Sequence, residues 1–478
     1  MASGEDQPLI TLDAVVVRRG PREVLSGASL ELRAAEVVAV VGPNGAGKST
    51  VIEVAAGMLD LRDGCVSHRI DSKMRPVRRG PEGLHGCAAR IGLCMQRGGT
   101  SPEETVDEHL NLCLRLNLLE VTEEARVSLL AHWSLAQRRH DRVGWLSGGL
   151  RRRLDIAAAM APALASSEPM AILLDEPSEG LDDDGVTTLA ASLDALAARG
   201  HGILLATHDQ RLLPHTDRSL AVEGGLLVER TEPAEGPPLS AYPDDPAEDA
   251  SGSPGGLTEP PDLSRSASIA GRPSMLAWNC RLDMRTLSTP AARWAPALLA
   301  FALFTGLGLP TAGLTDETAA GLALAPALIA ALIRPALCER LSKREAGAHW
   351  YTALQHWTPF SALLASASIA PACIAIIGWL MLAPAGWTGT DALWVVPLAA
   401  LLMVDVAAAG GIIHIQLGGG HRPALATLLL LPFAWVLLML ASAISAALLD
   451  QTWVAIKALL AAAAVTWMIA GVVLVIRD

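Results

Sequence analysis

The chain has 478 residues, too many for one compact core, so two or more domains are expected. Hydrophobic residues make up 51%, charged residues only 18%, and the mean hydropathy is positive, which is typical of a partly membrane-embedded protein. The net charge is −12, and residues 231–273, with eight acids against two arginines, supply half of it. The acidity therefore belongs to one solvated segment, and the lack of a basic stripe excludes nucleic acid as a partner.

The N-terminus is polar and acidic, so no cleavable signal peptide is expected and residues 1–230 should stay in the cytoplasm. Residues 9–230 predict a mixed α/β domain. The apolar runs 37–41, 171–174 and 202–206 predict buried parallel strands, and 185–198 predicts a helix. The seven cysteines form no CxxC pair, so neither a disulfide framework nor a zinc site is expected.

Residues 231–273 are rich in Pro, Gly and Ser without a hydrophobic period, which predicts a disordered linker. The third segment, 274–478, predicts an all-α membrane domain with six spans. The spans are 294–313, 318–338, 359–384, 391–416, 423–449 and 453–476. Arg and Lys collect in the loops on one side, so the positive-inside rule places both termini in the cytoplasm of a multi-pass plasma-membrane protein in contact with lipid.

A phosphate-binding loop follows the predicted strand 37–41. Glycines let the backbone N–H groups surround phosphates, while the helix that follows presents its positive end. Lys48 is expected to bridge the β- and γ-phosphates of ATP, and Ser49 to bind Mg²⁺. The loop consists of Gly42, Pro43, Asn44, Gly45, Ala46, Gly47, Lys48, Ser49 and Thr50.

An acidic pair ends the apolar run that begins at residue 171. Asp175 is placed to hold the Mg²⁺ shell, and Glu176 to polarise the attacking water. The pair lies 127 residues after Lys48, and this combination predicts an ATPase of the α/β P-loop class.

With these motifs, residues 9–230 resemble the ABC transporter ATPases, whose cassette adds a helical subdomain to a parallel or mixed sheet. Ser147, Gly148 and Gly149 resemble the family signature, which implies contact with the γ-phosphate held by a second subunit and hence a homodimer. Gln96 falls at the position of the metal-binding glutamine. Asp182 resembles the D-loop aspartate, and His208 the switch histidine that contacts the γ-phosphate.

Two positions depart from the family pattern. Leu150 stands where the signature usually has glutamine. The stretch from Val17 to Arg19 lacks the usual adenine-stacking aromatic. Arg19 could stack on the base instead, through a cation–π contact, or it could be a surface arginine with weaker base contact.

The membrane half resembles the ABC-2 exporters, with an interfacial helix over 339–358 expected to dock on the cassette or to lie on lipid headgroups. Residues 325–329, 338–341 and 418–425 are similar to the cytochrome c maturation B subunit, and the cassette is similar to the A subunit. Asp405, in the fourth span, could mark a transport path or be a protonated or hydrogen-bonded structural residue. Lys457 is expected to snorkel, and haem ligation by His414 or His421 is disfavoured.

Three functions remain open. The first is haem export or haem-chaperone release in cytochrome c maturation, with haem-handling membrane proteins as partners. The second is export of a lipid, peptide or drug. The third is a motor that uses ATP to release an extracytoplasmic partner without transport.

Overall fold

The computed structural model describes residues 8–81, 84–85, 89–96, 98–230, 259–271, 277–278 and 281. Its strands are β1 (Ile10–Arg19), β2 (Arg22–Leu32), β3 (Val37–Val41), β4 (Asp63–Ile70), β5 (Lys73–Arg79), β6 (Leu84–His85), β7 (Ile91–Cys94), β8 (Leu119–Glu120), β9 (Ala171–Asp175), β10 (Gly202–Ala206), β11 (Arg218–Glu223), β12 (Leu226–Arg230) and β13 (Ser268–Ile269). Its α-helices are α1 (Lys48–Ala55), α2 (Val106–Leu116), α3 (Glu123–His132), α4 (Gly148–Leu164) and α5 (Asp183–Ala198).

None of the helices within these ranges is long and apolar enough to cross a lipid bilayer. The six predicted spans, the 339–358 helix and Asp405 lie outside the described residues, as do Lys457, His414 and His421.

A six-stranded sheet in the order β12-β11-β3-β10-β9-β7 forms the centre of the cassette. The ladders β11–β3, β3–β10, β10–β9 and β9–β7 are parallel, and only the edge strand β12 is antiparallel. The predicted parallel strands at 37–41, 171–174 and 202–206 are thus confirmed as β3, β9 and β10. Because the carboxyl ends of parallel strands meet at one edge, the loops after β3, β9 and β10 come together there.

Both faces of this sheet are buried, which explains why its strands are continuous apolar runs. Along β3, Val37, Ala39 and Val41 pack into one hydrophobic core, whereas Val38 and Val40 pack into the other. The first core contains residues of α2, α3, α4 and α5. The second contains residues of α1 and of an antiparallel sheet in the order β2-β1-β4-β5-β6.

Residues 101–147 form the helical subdomain, which includes α2, β8 and α3. Helix α2 begins with a capping box: the Thr105 hydroxyl accepts from the Glu108 backbone N–H, and the Glu108 carboxylate accepts from the Thr105 N–H. Trp133, only 1% exposed, fixes the subdomain to the first core together with Leu129 and Leu130. The expected cassette fold, a mixed sheet with a helical subdomain, is therefore confirmed.

Residues 259–271, which we call the strap, correct the prediction of a disordered linker over 231–273. Leu263 is 1% exposed and belongs to the first core, and its N–H donates to Leu164 O at 3.1 Å. The strand β13 pairs with β8, and Arg199 donates to Pro260 O at 2.8 Å. The prediction was wrong for the strap because a few apolar anchors are enough to order a segment whose average composition is polar.

Candidate nucleotide-binding site

The loop between β3 and α1 has the backbone conformation that a phosphate cradle needs. Gly42, Gly45 and Gly47 all have positive φ, and Gly47 (φ 117°) precedes the first residue of α1. A Cβ on Gly47 would lie 2.9 Å from Val24 Cγ1, so a side chain is excluded by both strain and contact. The positive end of α1 then faces the loop, as required for binding an anion.

Lys48 lies at the centre of this loop and is only 6% exposed. Its Nζ donates to Gly42 O at 2.9 Å and lies 3.2 Å from Glu176 Oε1. A buried ammonium needs such partners, because desolvation would otherwise disfavour its charge. Lys48 is therefore held at the loop, where a phosphate oxygen can replace its present partners.

Glu176 comes directly after β9 and is 5% exposed. Its backbone is in the left-handed region (φ 46°), and its N–H donates to Ala206 O at 2.8 Å. The Oε2 atom lies 2.8 Å from His208 Nδ1, and the N–H of His208 donates to the same oxygen at 3.3 Å. Strain of this kind in a non-glycine residue persists where the surroundings enforce it, often at functional sites.

Ser49 and Asp175 supply paired oxygen atoms beside Lys48. The Ser49 hydroxyl donates to Asp175 Oδ1 at 3.0 Å, and Asp175 is 1% exposed. Burial raises the pKa of Asp175 to about 6, and the hydrogen bond from Ser49 opposes that rise. One hydroxyl and one carboxylate oxygen fit Mg²⁺, which takes few protein ligands and fills its shell with phosphate oxygens and water. No group of three acidic, His or Cys side chains suited to a metal occurs in the described part of the chain.

Gln96 follows β7, and in this structure its amide is engaged elsewhere. Its Nε2 donates to Glu179 Oε2 at 3.0 Å, and its backbone oxygen accepts from Arg152. This bond uses Nε2 and not the amide oxygen that would bind a metal, so metal binding by Gln96 remains a proposal.

The signature residues begin helix α4. The Ser147 side chain caps the helix by accepting from Leu150 N at 3.3 Å, and Ser147 and Gly148 are exposed. A Cβ on Gly149 would lie 3.0 Å from Gly180 O, so this position accepts a side chain only if the Gly180 loop shifts. The structure places this motif at a solvent-facing helix N-terminus, which is suited to an anion from outside the subunit.

Asp182 and Arg19 have roles that their sequence positions did not show. Asp182 caps α5 by accepting from Gly185 N at 3.0 Å and pairs with Arg153 at 2.5 Å, so it joins α4 to α5. The Arg19 guanidinium forms an ion pair with Glu53 of α1. Arg19 therefore lies beside the phosphate-loop helix with its guanidinium held by a carboxylate, and its stacking on a base remains a proposal.

Arg152 is the functional residue that the sequence analysis missed. It is 5% exposed and donates to five backbone oxygens, those of Met95, Gln96, Asp175, Glu176 and Pro177. It thereby joins α4 to the segments after β7 and β9. The available signal was the run of three arginines directly after Leu150, from which the sequence alone does not single out the buried one.

The arrangement combines a phosphate cradle, a buried lysine, an oxygen pair for Mg²⁺ and a strained carboxylate that can polarise water. These parts bind a nucleoside triphosphate and hydrolyse its terminal phosphate, so they define a P-loop ATPase.

Comparisons with known proteins specify the family. The ABC transporter family model matches residues 25–179. The lipoprotein-releasing system ATP-binding protein of Paramagnetospirillum magneticum is 36% identical over 217 residues, 43% of this chain and 90% of that protein. The cytochrome c biogenesis ATP-binding export protein of Cupriavidus pinatubonensis is 33% identical, with 45% of this chain and 90% of that protein covered. The chain belongs to the ABC transporter ATP-binding proteins, and it is an ATPase that uses Mg²⁺.

Other relatives are named for different roles. The Nod factor export ATP-binding protein I of Neorhizobium galegae is 34% identical over 244 residues, which is 49% of this chain and 64% of that protein. Among solved structures, a dimeric bacterial ABC transporter cassette has 24% identity and a TM-score of 0.39. That match covers 48% of this chain and 99% of the other.

Proposed function

We propose that the chain is one half of an ABC transporter, in which two copies join their cassettes around two ATP molecules. One observation carries this proposal. Lys48, Glu176 and His208 form one connected group, whereas the signature residues Ser147 and Gly148 face solvent at the start of α4. An exposed helix N-terminus of this kind can close over the phosphates bound by a second copy.

The residues of the cassette divide the work of hydrolysis. Lys48 and the loop N–H groups bind the β- and γ-phosphates. Ser49 and Asp175 would hold Mg²⁺, which would neutralise phosphate charge. Glu176 orients a water molecule for in-line attack on the γ-phosphorus and attracts its proton. The bond from the γ-phosphorus to the bridging oxygen breaks, giving ADP and phosphate. His208, hydrogen-bonded to Glu176 in the present structure, steadies that carboxylate, and the family resemblance assigns it a contact with the γ-phosphate.

The proposed domain organisation is a cassette over 1–230, a connecting segment over 231–273 that includes the strap, and a membrane domain over 274–478. The positive mean hydropathy and the six apolar stretches after residue 294 support it. Closure of the cassettes would then drive the membrane halves through residues 339–358. The location would be the plasma membrane, with the cassette and both termini in the cytoplasm.

We propose that the function of the transporter is haem export or haem-chaperone release in cytochrome c maturation. The relative named for cytochrome c biogenesis, matched over 90% of its length, supports this, as does the similarity of 325–329, 338–341 and 418–425 to the B subunit. Export of a lipid, peptide or other cargo is the second candidate. The relatives named for Nod factor export and lipoprotein release favour it at similar identity.

The test is haem staining of membrane c-type cytochromes in a deletion strain, complemented with the wild type or with Glu176→Gln. Loss of staining that only the wild type restores is the expected result. Staining that survives the deletion would contradict the role in cytochrome maturation and favour the exporter. Immunoblotting of both complementing proteins at equal levels is the control, because Glu176→Gln changes one buried atom and should leave the fold intact.

A further inference from the structure

Trp145 is a large aromatic side chain that the structure holds in solvent beside the signature residues. It is 73% exposed and ends a 3₁₀ helix, Val143–Trp145, two residues before Ser147. Residues 1–230 contain only two Phe, Trp or Tyr residues, and the other, Trp133, is 1% exposed. Of the two aromatic rings in residues 1–230, one is therefore in the core and the other lies in solvent beside the signature residues.

The turn that carries Trp145 is rigidly built. The N–H of Val143 donates to Glu104 O at 2.9 Å, and the N–H of Gly144 donates to Pro102 O at 3.0 Å. Val143 is 1% exposed, and a Cβ on Gly144 would lie 3.0 Å from Pro102 O, so the turn packs closely against its support. The backbone that carries the exposed ring is thus held in place, which lowers the entropy cost of binding against the ring.

One neighbour of the ring is a cation. The Arg142 guanidinium carbon lies 5.4 Å from the centroid of the Trp145 ring, within the range of a cation–π contact. A fixed aromatic ring next to an arginine and a helix N-terminus combines a surface for a flat base with positive charge for phosphates. This is the chemistry of a nucleotide-recognition surface.

Within residues 1–230, the subunit that binds the phosphates has no aromatic side chain in β1, where the base would be expected to lie. The guanidinium groups of Arg18 and Arg19, in β1, are paired with Glu23 and Glu53 respectively. An adenine that receives little stacking from its own subunit can receive it from the second copy.

We propose that Trp145 is an adenine-binding residue that acts across the cassette dimer, stacking on the base of the ATP held by the phosphate loop of the other copy. This inference rests on the homodimer proposed above. The proposal gives Trp145, two residues before Ser147, a role in base recognition, and it accounts for the exposure of this side chain in the single subunit.

The test measures nucleotide affinity in the full-length chain carrying Glu176→Gln, in which bound ATP is not consumed. Base stacking by one aromatic residue predicts that Trp145→Ala weakens ATP binding about 10-fold, while Trp145→Phe stays within about threefold of the parent. Competition by inorganic triphosphate, which has no base, should be unchanged in both variants. Equal ATP affinity in Trp145→Ala and the parent would overturn the proposal.

Mixed dimers decide whether the ring acts across the interface. One subunit carries Lys48→Ala, so only its partner's phosphate loop binds ATP. Trp145→Ala placed on the Lys48→Ala subunit should weaken the remaining site about 10-fold, whereas the same change on the other subunit should leave it unchanged. The reverse pattern would overturn the proposal.

A separate measurement of ATP-dependent association distinguishes a failure of the proposed homodimer from a failure of the role of Trp145. Failure of ATP to join two Glu176→Gln copies would overturn the homodimer and, with it, this inference. Association with unchanged affinity in Trp145→Ala would overturn only the role of Trp145.

Discussion

Replacing Arg152 by lysine tests how the cassette holds its catalytic segments together. Arg152 reaches Met95 O at 2.7 Å, Asp175 O at 2.6 Å and Glu176 O at 2.7 Å, with two longer bonds to Gln96 O and Pro177 O at 3.3 Å. Lysine keeps the charge but has one nitrogen with three N–H groups, so at least two of these oxygens lose their partner.

A buried oxygen left without a donor costs about 1–3 kcal/mol, so two of them cost about 2–6 kcal/mol. At about 2–4 °C per kcal/mol for a domain of this size, the Tm of the cassette should fall by roughly 4–24 °C. Thermal unfolding of the purified full-length chain measures this shift.

The neighbouring Arg151→Lys is the matched control for Arg152→Lys, because Arg151 makes only one such bond, from Nη2 to Leu146 O at 3.3 Å. Its cost should stay below about 1 kcal/mol. Equal Tm values for the two variants would refute the reasoning.

Two further predictions concern acid stability and the strap. Burial lowers the pKa of His68 to about 4, so the folded state binds a proton there less readily than the unfolded chain does. The contribution of neutral His68 to the free energy of unfolding is therefore present above pH 6.5 and is lost towards pH 4, with about 2 kcal/mol lost at pH 5. When thermal unfolding is measured against pH, the Tm of His68→Gln should decline less steeply than that of the wild type. His140→Gln, at an exposed site, is the control and should follow the wild type. Leu263→Asp should release the strap, because it places a charge in the apolar core. Hydrogen–deuterium exchange should then accelerate in β8, which pairs with the strap. Unchanged exchange at Leu119 and Glu120 would show that Leu263 does not anchor the strap.

The catalytic edge of the sheet was predictable because its functional residues lie in short, contiguous sequence motifs. The strands β3, β9 and β10 contain continuous apolar runs. The phosphate loop follows β3, and the acidic pair consists of the last residue of β9 and the residue after it. The end of β9 lies one residue later than predicted, at Asp175. Helix α5 begins two residues earlier than predicted, at Asp183, because Asp182 caps it.

The features that the sequence did not predict depend on contacts between residues far apart in the chain. Arg152 is defined by backbone oxygens 23 to 57 residues away, and nothing local separates it from Arg151. The order of the strap was missed because the composition of the segment, rich in Pro, Gly and Ser, does not show the apolar contacts of Leu263. The pairing of Gln96 with Glu179 depends on a partner 83 residues away.

The most direct test of the account is ATP turnover by the full-length chain, compared with Glu176→Gln and Lys48→Ala, alongside ATP binding by each. The account predicts that Glu176→Gln still binds ATP but loses at least about 100-fold in turnover, because its amide attracts a water proton poorly. Lys48→Ala should lose both binding and turnover. Turnover near the wild-type rate in Glu176→Gln would contradict the assignment of Glu176 as the residue that polarises the attacking water.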